Sequence, residues 1–242
     1  MPDAGGAHSG YLITHAGFTL LLECGSGVLS KLRQYADPAR VDAVLISHLH
    51  ADHMVDLVPF SFALSSGLLG SPRQPPLWAP PGGAASFAAY AAAVGMDDRI
   101  NHGFWVREYD PRQELKLGPL RIRFCSVPHF VSCYACDLQE PTGRRLTFGA
   151  DCGPNDGIVR LAMGTDLLML EATEGTGPHV GTAPRGHLTA AEAGLIARHA
   201  QARRLLLTHY SDQLDAAELR RAAEQTYGGE VELAAEQARF TI

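Results

Sequence analysis

Ser47-His48-Leu49-His50-Ala51-Asp52-His53 follows directly on the apolar run Ala43-Val44-Leu45-Ile46. A continuous apolar run reads as a strand buried on both faces. Three imidazoles and one carboxylate then fall within the six residues 48–53, where that strand ends. His48 and His50 are two apart, so extended backbone projects them to one side. Asp52 and His53 fall where the chain turns into a helix, and they can face a second position. Imidazole and carboxylate together suit zinc or a similar borderline divalent ion. The competing reading is a solvated loop that happens to be rich in histidine. It does not account for a His-x-His-x-Asp-His order placed straight after a buried strand.

Further along the chain, more ligand-type residues close expected strands. His129 stands behind Pro128 after a strand over 120–127. Asp151 ends a strand over 144–150 and precedes Cys152-Gly153. His209 ends a strand over 204–208. Reactive groups displayed at the ends of a rigid sheet suit a catalytic centre. Other strands are expected over 11–15, 18–24, 41–47, 104–109, 132–139, 166–171 and 231–233, with a last one near Phe240. Helices are expected over 28–35, 54–65, 84–94, 158–163, 190–199 and 216–226. Thr189 with Glu192, and Asp215 with Glu218, have capping-box spacing. The Gly/Pro-rich stretches 67–83 and 175–186 read as loops. Early strands form hairpins and later ones are separated by helices. That order predicts an α+β fold, a four-layer αββα sandwich, as a single domain over 1–242.

The 242 residues include 20 Lys and Arg against 26 Asp and Glu, a net charge of −6. Without a basic tract, the surface is not built to grip long nucleic acid, whereas a single nucleotide in a local pocket is compatible with it. No apolar run approaches the roughly 20 residues that span a bilayer. Met1-Pro2-Asp3-Ala4-Gly5-Gly6 has neither the basic start nor the apolar stretch of a signal peptide. No membrane association and a cytoplasmic location are therefore expected. Five cysteines do not make a disulfide scaffold. Cys133-Tyr134-Ala135-Cys136 lacks a second pair to complete a zinc site and reads as structural.

The set His48-x-His50-x-Asp52-His53, His129, Asp151 and His209 resembles the metallo-β-lactamase-fold hydrolase superfamily over nearly the whole chain. Leu170-Glu171-Ala172-Thr173, His187-Leu188-Thr189 and Leu207-Thr208-His209-Tyr210-Ser211 are similar to elements of its phosphodiesterase and ribonuclease Z branch. Ser9-Gly10-Tyr11-Leu12 and Cys24-Gly25-Ser26-Gly27-Val28-Leu29 look most like small bacterial metallo-hydrolases and atypical class II cyclic-nucleotide phosphodiesterases. The resemblance implies two divalent metal ions, zinc first and manganese as the alternative. His48, His50 and His129 would hold one ion. Asp52, His53 and His209 would hold the other, with Asp151 bridging. It further implies that Asp52 takes the proton of the attacking water. His187 would be the general acid, oriented by Glu171. His179, in the loop leading to His187, is a candidate substrate contact.

The expected substrate is a small phosphodiester or a cyclic nucleotide. A transfer-RNA 3′-end nuclease of the ribonuclease Z type is the first alternative. Only 22 positions separate His129 from Asp151, which leaves room for a hairpin and none for a clamping arm. A lactone, thioester or sulfate-ester hydrolase on the same metals is the second alternative. Three residues depart from the family pattern: Glu23 in place of Asp, Ala150 in place of Gly and Cys152 in place of Thr. Ala150 is expected to be tolerated there on the condition that its φ is negative. The family also opens with a strand ahead of Ser9 that this sequence lacks. Either the true start lies further upstream, or the edge strand is missing, in which case an open sheet edge and pairing with a second copy are expected there.

Overall fold

The computed structural model describes residues 4–70, 72–96, 99–177 and 185–242. Its two mixed sheets each lie within one of two units, Met1–Asp110 and Pro111–Ile242. In the first unit β1 (Tyr11–His15), β2 (Phe18–Leu22), β3 (Ala43–Leu45), β4 (Pro76–Ala79) and β5 (Trp105–Glu108) lie side by side in chain order. β1 and β2 form a hairpin across Ala16-Gly17, both with positive φ, the handedness that matches strand twist. The remaining pairings are parallel. The crossovers run through α1 (Val28–Tyr35), α2 (Ala51–Met54), α3 (Leu57–Ser65), α4 (Gly83–Ala93) and α5 (Arg99–Gly103). Leu21, Val44, Ile46 and Leu77 pack with Leu57, Phe60, Phe87, Ile100 and Phe104 in one buried cluster. No described strand pairs with the outer edge of β1.

The second unit holds β6 (Leu115–Leu117), β7 (Leu120–Val127), β8 (Cys133–Gln139), β9 (Arg145–Phe148), β10 (Leu167–Glu171), β11 (Leu205–Thr208) and β12 (Val231–Leu233). The order is β12-β11-β10-β9-β8-β7-β6. β6 to β9 pair antiparallel, and β9 to β12 pair parallel. α6 (Asp156–Leu161), α7 (Ala190–His199) and α8 (Ala216–Tyr227) complete it. α7 opens on a full capping box: Thr189 Oγ1 accepts from the Glu192 N–H and Glu192 returns the bond. At α8, Asp215 Oδ1 accepts from the Ala217 and Glu218 N–H groups while Glu218 turns to Arg221, so the cap forms without its reciprocal half. No helix among the described residues is long and apolar enough to cross a membrane.

Four expectations need correction. The stretch 67–83 is not all loop, because Pro76–Ala79 is the strand between β3 and β5. Its proline is the first residue, where a missing N–H is tolerated. The helix expected over 54–65 breaks at Val55-Asp56. There the Asp56 N–H donates to the Cys24 carbonyl, and its carboxylate accepts from the Leu29 N–H at 2.9 Å, which diverts the chain. No strand forms near Phe240, where the Thr241 carbonyl accepts from Arg204 instead of a ladder partner. β6 and α5 were not expected and are both short.

Asp137 on β8 fixes β9 in place. It is wholly buried and accepts from Arg123 Nη2 at 2.7 Å, Arg145 Nε at 3.0 Å and Thr147 Oγ1 at 2.8 Å. Arg145 also donates to the carbonyls of Leu161, which ends α6, and Met163, just past it. Removing one partner of a buried pair leaves the other uncompensated. Asp137→Ala is expected to cost about 3 kcal/mol and to lower the melting midpoint by roughly 6–12 °C. Thermal unfolding followed by circular dichroism checks this, and a shift below about 2 °C contradicts it.

Candidate metal centre

The His-rich loop of the first unit is held by backbone bonds. Ile46 N–H donates to the Trp78 carbonyl, and the Tyr109 hydroxyl lies 3.2 and 3.3 Å from the carbonyls of Ile46 and Ser47. The turn between β2 and α1 clamps the loop from the other side. Cys24 N–H donates to the His53 carbonyl at 2.7 Å, and Ser9 N–H donates to the Asp52 carbonyl at 3.2 Å. A Cβ at Gly25 would lie 1.9 Å from the Asp52 carbonyl oxygen, so this approach requires glycine. His50 precedes α2, which carries Asp52 and His53. The His48 ring centroid is 4.9 Å from that of His50 and 4.1 Å from that of His53. Asp52 Oδ2 is 3.6 Å from His53 Nε2.

Glu23 supports this cluster from behind. It is fully buried, accepts from the Ser47 N–H at 2.9 Å and sets its second oxygen 3.3 Å from His53 Nδ1. The sequence marked Glu23 only as a departure from an expected Asp. An acidic residue immediately after a buried strand was the available signal.

In the second unit His129, Asp151, Glu171, His187 and His209 come together. His129, Asp151 and His187 each offer a ligand atom within 4.8 Å of the others, and so do Glu171, His187 and His209. Hydrogen bonding decides the tautomers. His129 Nδ1 is 2.8 Å from the Gly186 carbonyl, which can only accept. Its proton therefore sits on Nδ1, and Nε2 keeps its lone pair. Thr173 Oγ1 donates its one hydrogen to the His209 carbonyl at 2.9 Å, so it must accept from His209 Nδ1, also at 2.9 Å. In the neutral imidazole the lone pair is then on His209 Nε2, which lies 3.4 Å from Asp151 Oδ2. Neither Thr173 nor Gly186 had a role in the sequence reading. A backbone acceptor leaves no side-chain signature, and Thr173 was visible only as part of a motif.

His187 Nδ1 lies 2.9 and 3.1 Å from the two oxygens of Glu171. Glu171 is buried and also accepts from the N–H groups of Cys152 and Thr173. Burial pulls the His187 pKa down. The Glu171 hydrogen bond and the charges of Glu171, Asp151 and Glu174 outweigh it, so the imidazole titrates above its ordinary value. Burial, helped by the charges of Glu171 and Asp151, pushes the Cys152 thiol well up, which keeps it a neutral small residue. Ala150 corrects an expectation: its φ is +53°, in the left-handed region where glycine is at ease. The chain must reverse sharply there, after β9, to deliver Asp151. His179 lies outside the described residues.

These donors fit divalent cations. The imidazoles of His129 and His209 each have Nδ1 engaged with an oxygen, which leaves Nε2 as the donor nitrogen of the neutral ring, and Asp151 carries a carboxylate 3.4 Å from His209 Nε2. Metal-bound histidines characteristically give their other N–H to an oxygen in this way.

A family model for the beta-lactamase superfamily domain matches residues 19–210. The probable metallo-hydrolase YhfI of Bacillus subtilis is 34% identical over 242 residues, covering 96% of this chain and 92% of its own. The crystal structure of that metallo-beta-lactamase fold protein matches with a TM-score of 0.86 at 32% identity, over 97% of this chain and 92% of the other. A ribonuclease Z of Myxococcus xanthus is 30% identical, covering 89% of this chain and 85% of its own. A diphosphatase from the PhnP family shares the fold, with a TM-score of 0.73 at 18% identity over 98% of this chain and 85% of the other. The chain thus belongs to the beta-lactamase superfamily, as a metal-dependent hydrolase of the metallo-β-lactamase fold.

Proposed function

We propose that the whole chain acts as one phosphodiesterase domain, cleaving a small or cyclic nucleotide. The observation that carries this reading is the Glu171–His187 pair. A histidine whose Nδ1 is held by a buried carboxylate, and whose pKa is raised, is suited to give a proton to a leaving alkoxide. A lactone needs little such help.

His48, His50 and His129 would hold one cation, and Asp52, His53 and His209 a second, with Asp151 shared. Zinc is the expected metal and manganese the alternative. Bound cations supply a more acidic water and charge neutralisation at the phosphoryl oxygens. Asp52 accepts the proton of the attacking water. His187 Nε2 donates a proton to the leaving oxygen as the P–O bond breaks. One water adds in all, giving a phosphomonoester and an alcohol, which for a cyclic nucleotide are two groups of a single ring-opened product. The same reading has the enzyme working in the reducing cytoplasm, in keeping with its five free cysteines.

The relative named ribonuclease Z favours a second reading, cleavage of transfer-RNA 3′ trailers. Against it, the interval from His129 to Asp151 is taken up by β8, β9 and their turn, and the net charge is −6.

Zinc- or manganese-loaded protein is expected to hydrolyse cyclic AMP or bis(p-nitrophenyl) phosphate and to lose this activity to a chelator. Turnover of neither refutes the reading, and efficient trimming of a precursor tRNA would replace it with the second.

His187→Ala is expected to lower kcat on the phosphodiester by about 10²–10⁴-fold while the metal content stays unchanged by elemental analysis. An undiminished kcat removes His187 from the mechanism.

Glu23→Ala is expected to weaken metal binding by about 10–100-fold, read by titration against a chromophoric chelator. Unchanged affinity would deny Glu23 its supporting part.

A further inference from the structure

Phe130 follows His129 in the turn between β7 and β8, and 67% of its surface is exposed. Leaving such a ring in water forgoes about 2 kcal/mol of burial. The ring is nevertheless held in place. It rests over Gly186, where a Cβ would lie 2.7 Å from its Cε2 and 3.0 Å from its Cδ2. Its centroid is 5.2 Å from that of His129 and 5.8 Å from that of His187, at 61° to the latter. One side of the ring is thus packed against the site, and the rest faces solvent next to the proposed acid.

We infer that Phe130 is a specificity-determining residue, the platform on which the nucleobase of the leaving group stacks. The inference rests on the phosphodiesterase reading and deepens it. His187 meets the leaving oxygen, and a base stands one sugar away from that oxygen. The 5.8 Å between the two rings is a separation of that order. Stacking on an aromatic face needs no base-specific hydrogen bond and is worth about 1–3 kcal/mol per base. Val131, the next residue in the chain, is also exposed. A planar leaving group gains from this surface, and a bare sugar does not.

The test compares cyclic AMP with ribose 3′,5′-cyclic phosphate, which has the same scissile bond and no base. Wild type, Phe130→Ala, Phe130→Leu and Phe130→Trp are each metal-loaded and checked for folding by circular dichroism. Wild type is expected to favour cyclic AMP in kcat/KM by roughly 5- to 150-fold. Alanine and leucine bring the ratio close to one, chiefly through KM, and tryptophan preserves it. Binding of 5′-AMP against ribose 5-phosphate by calorimetry, which needs no turnover, is expected to follow the same order. Equal losses on both substrates in Phe130→Ala, or no preference in wild type, overturn the inference and leave the phosphodiesterase reading standing. Turnover of neither substrate by wild type overturns both.

Discussion

An imidazole can bind a cation only through a nitrogen that carries no proton, and this chain fixes which nitrogen that is by its own hydrogen bonds. The Gly186 carbonyl holds the proton of His129 on Nδ1. Thr173, its single hydrogen already given to the His209 carbonyl, does the same for His209. Glu23 stands 3.3 Å from His53 Nδ1. The first two hydrogen bonds also fix the plane of the ring, so the imidazole is both oriented and in a set tautomer. Burying Glu23 would cost several kcal/mol if it stood alone. The Ser47 N–H bond to one oxygen offsets part of that cost, and the other oxygen faces His53 Nδ1.

The same groups explain an oddity of the backbone. Glu23, Ala150 and His209 have φ of 63°, 53° and 50°, although none is glycine. Each stands just past the carboxyl end of a strand: β2, β9 and β11. In a strand, successive side chains alternate between faces, so a regular continuation would carry the next residue away from its neighbours. A left-handed residue breaks the alternation at a cost of about 1–2 kcal/mol. Specific bonds offset it: Glu23 N–H donates to the Leu45 carbonyl, and the His209 carbonyl accepts from Thr173. Backbone strain of this kind gathers where a fold must aim its reactive groups.

What could be read from residue types was the inventory of donors and the strands that present them. Runs such as Ala43–Leu45 and Leu205–Thr208 are buried at every position, and that pattern is local. The strand Pro76–Ala79 was hidden because its proline and flanking glycines carry loop signals, while its membership comes from pairing with β3 and β5, far away in sequence. Ala150 misled for a similar reason. Its φ is imposed by the turn that follows β9, and alanine itself gives no sign of it. Gly186 escaped notice because its part is played by a carbonyl, which every residue has. Phe130 escaped because an aromatic beside a ligand reads as packing until its exposure is known.

The two carboxylates of the second unit show how environment divides labour between chemically equal groups. Glu171 has its acceptor capacity committed. One oxygen takes the Cys152 N–H at 2.8 Å and the other the Thr173 N–H at 3.3 Å, while His187 Nδ1 bridges both. A carboxylate so satisfied is a poor cation ligand and a good anchor for an imidazole. Asp151 instead turns Oδ2 to within 3.4 Å of His209 Nε2, the nitrogen that His209 does not use towards Thr173. The segment carrying His187 is stiffened by a bidentate Arg185–Glu192 pair, with both contacts at 2.6 Å, and by the Arg185 bond to the His187 carbonyl. Glu192 also closes the capping box of α7. His187 is therefore tied to a helix end on one side and to a buried anion on the other. Its Nδ1 is committed to Glu171, so Nε2 is the ring nitrogen left for the proposed proton transfer.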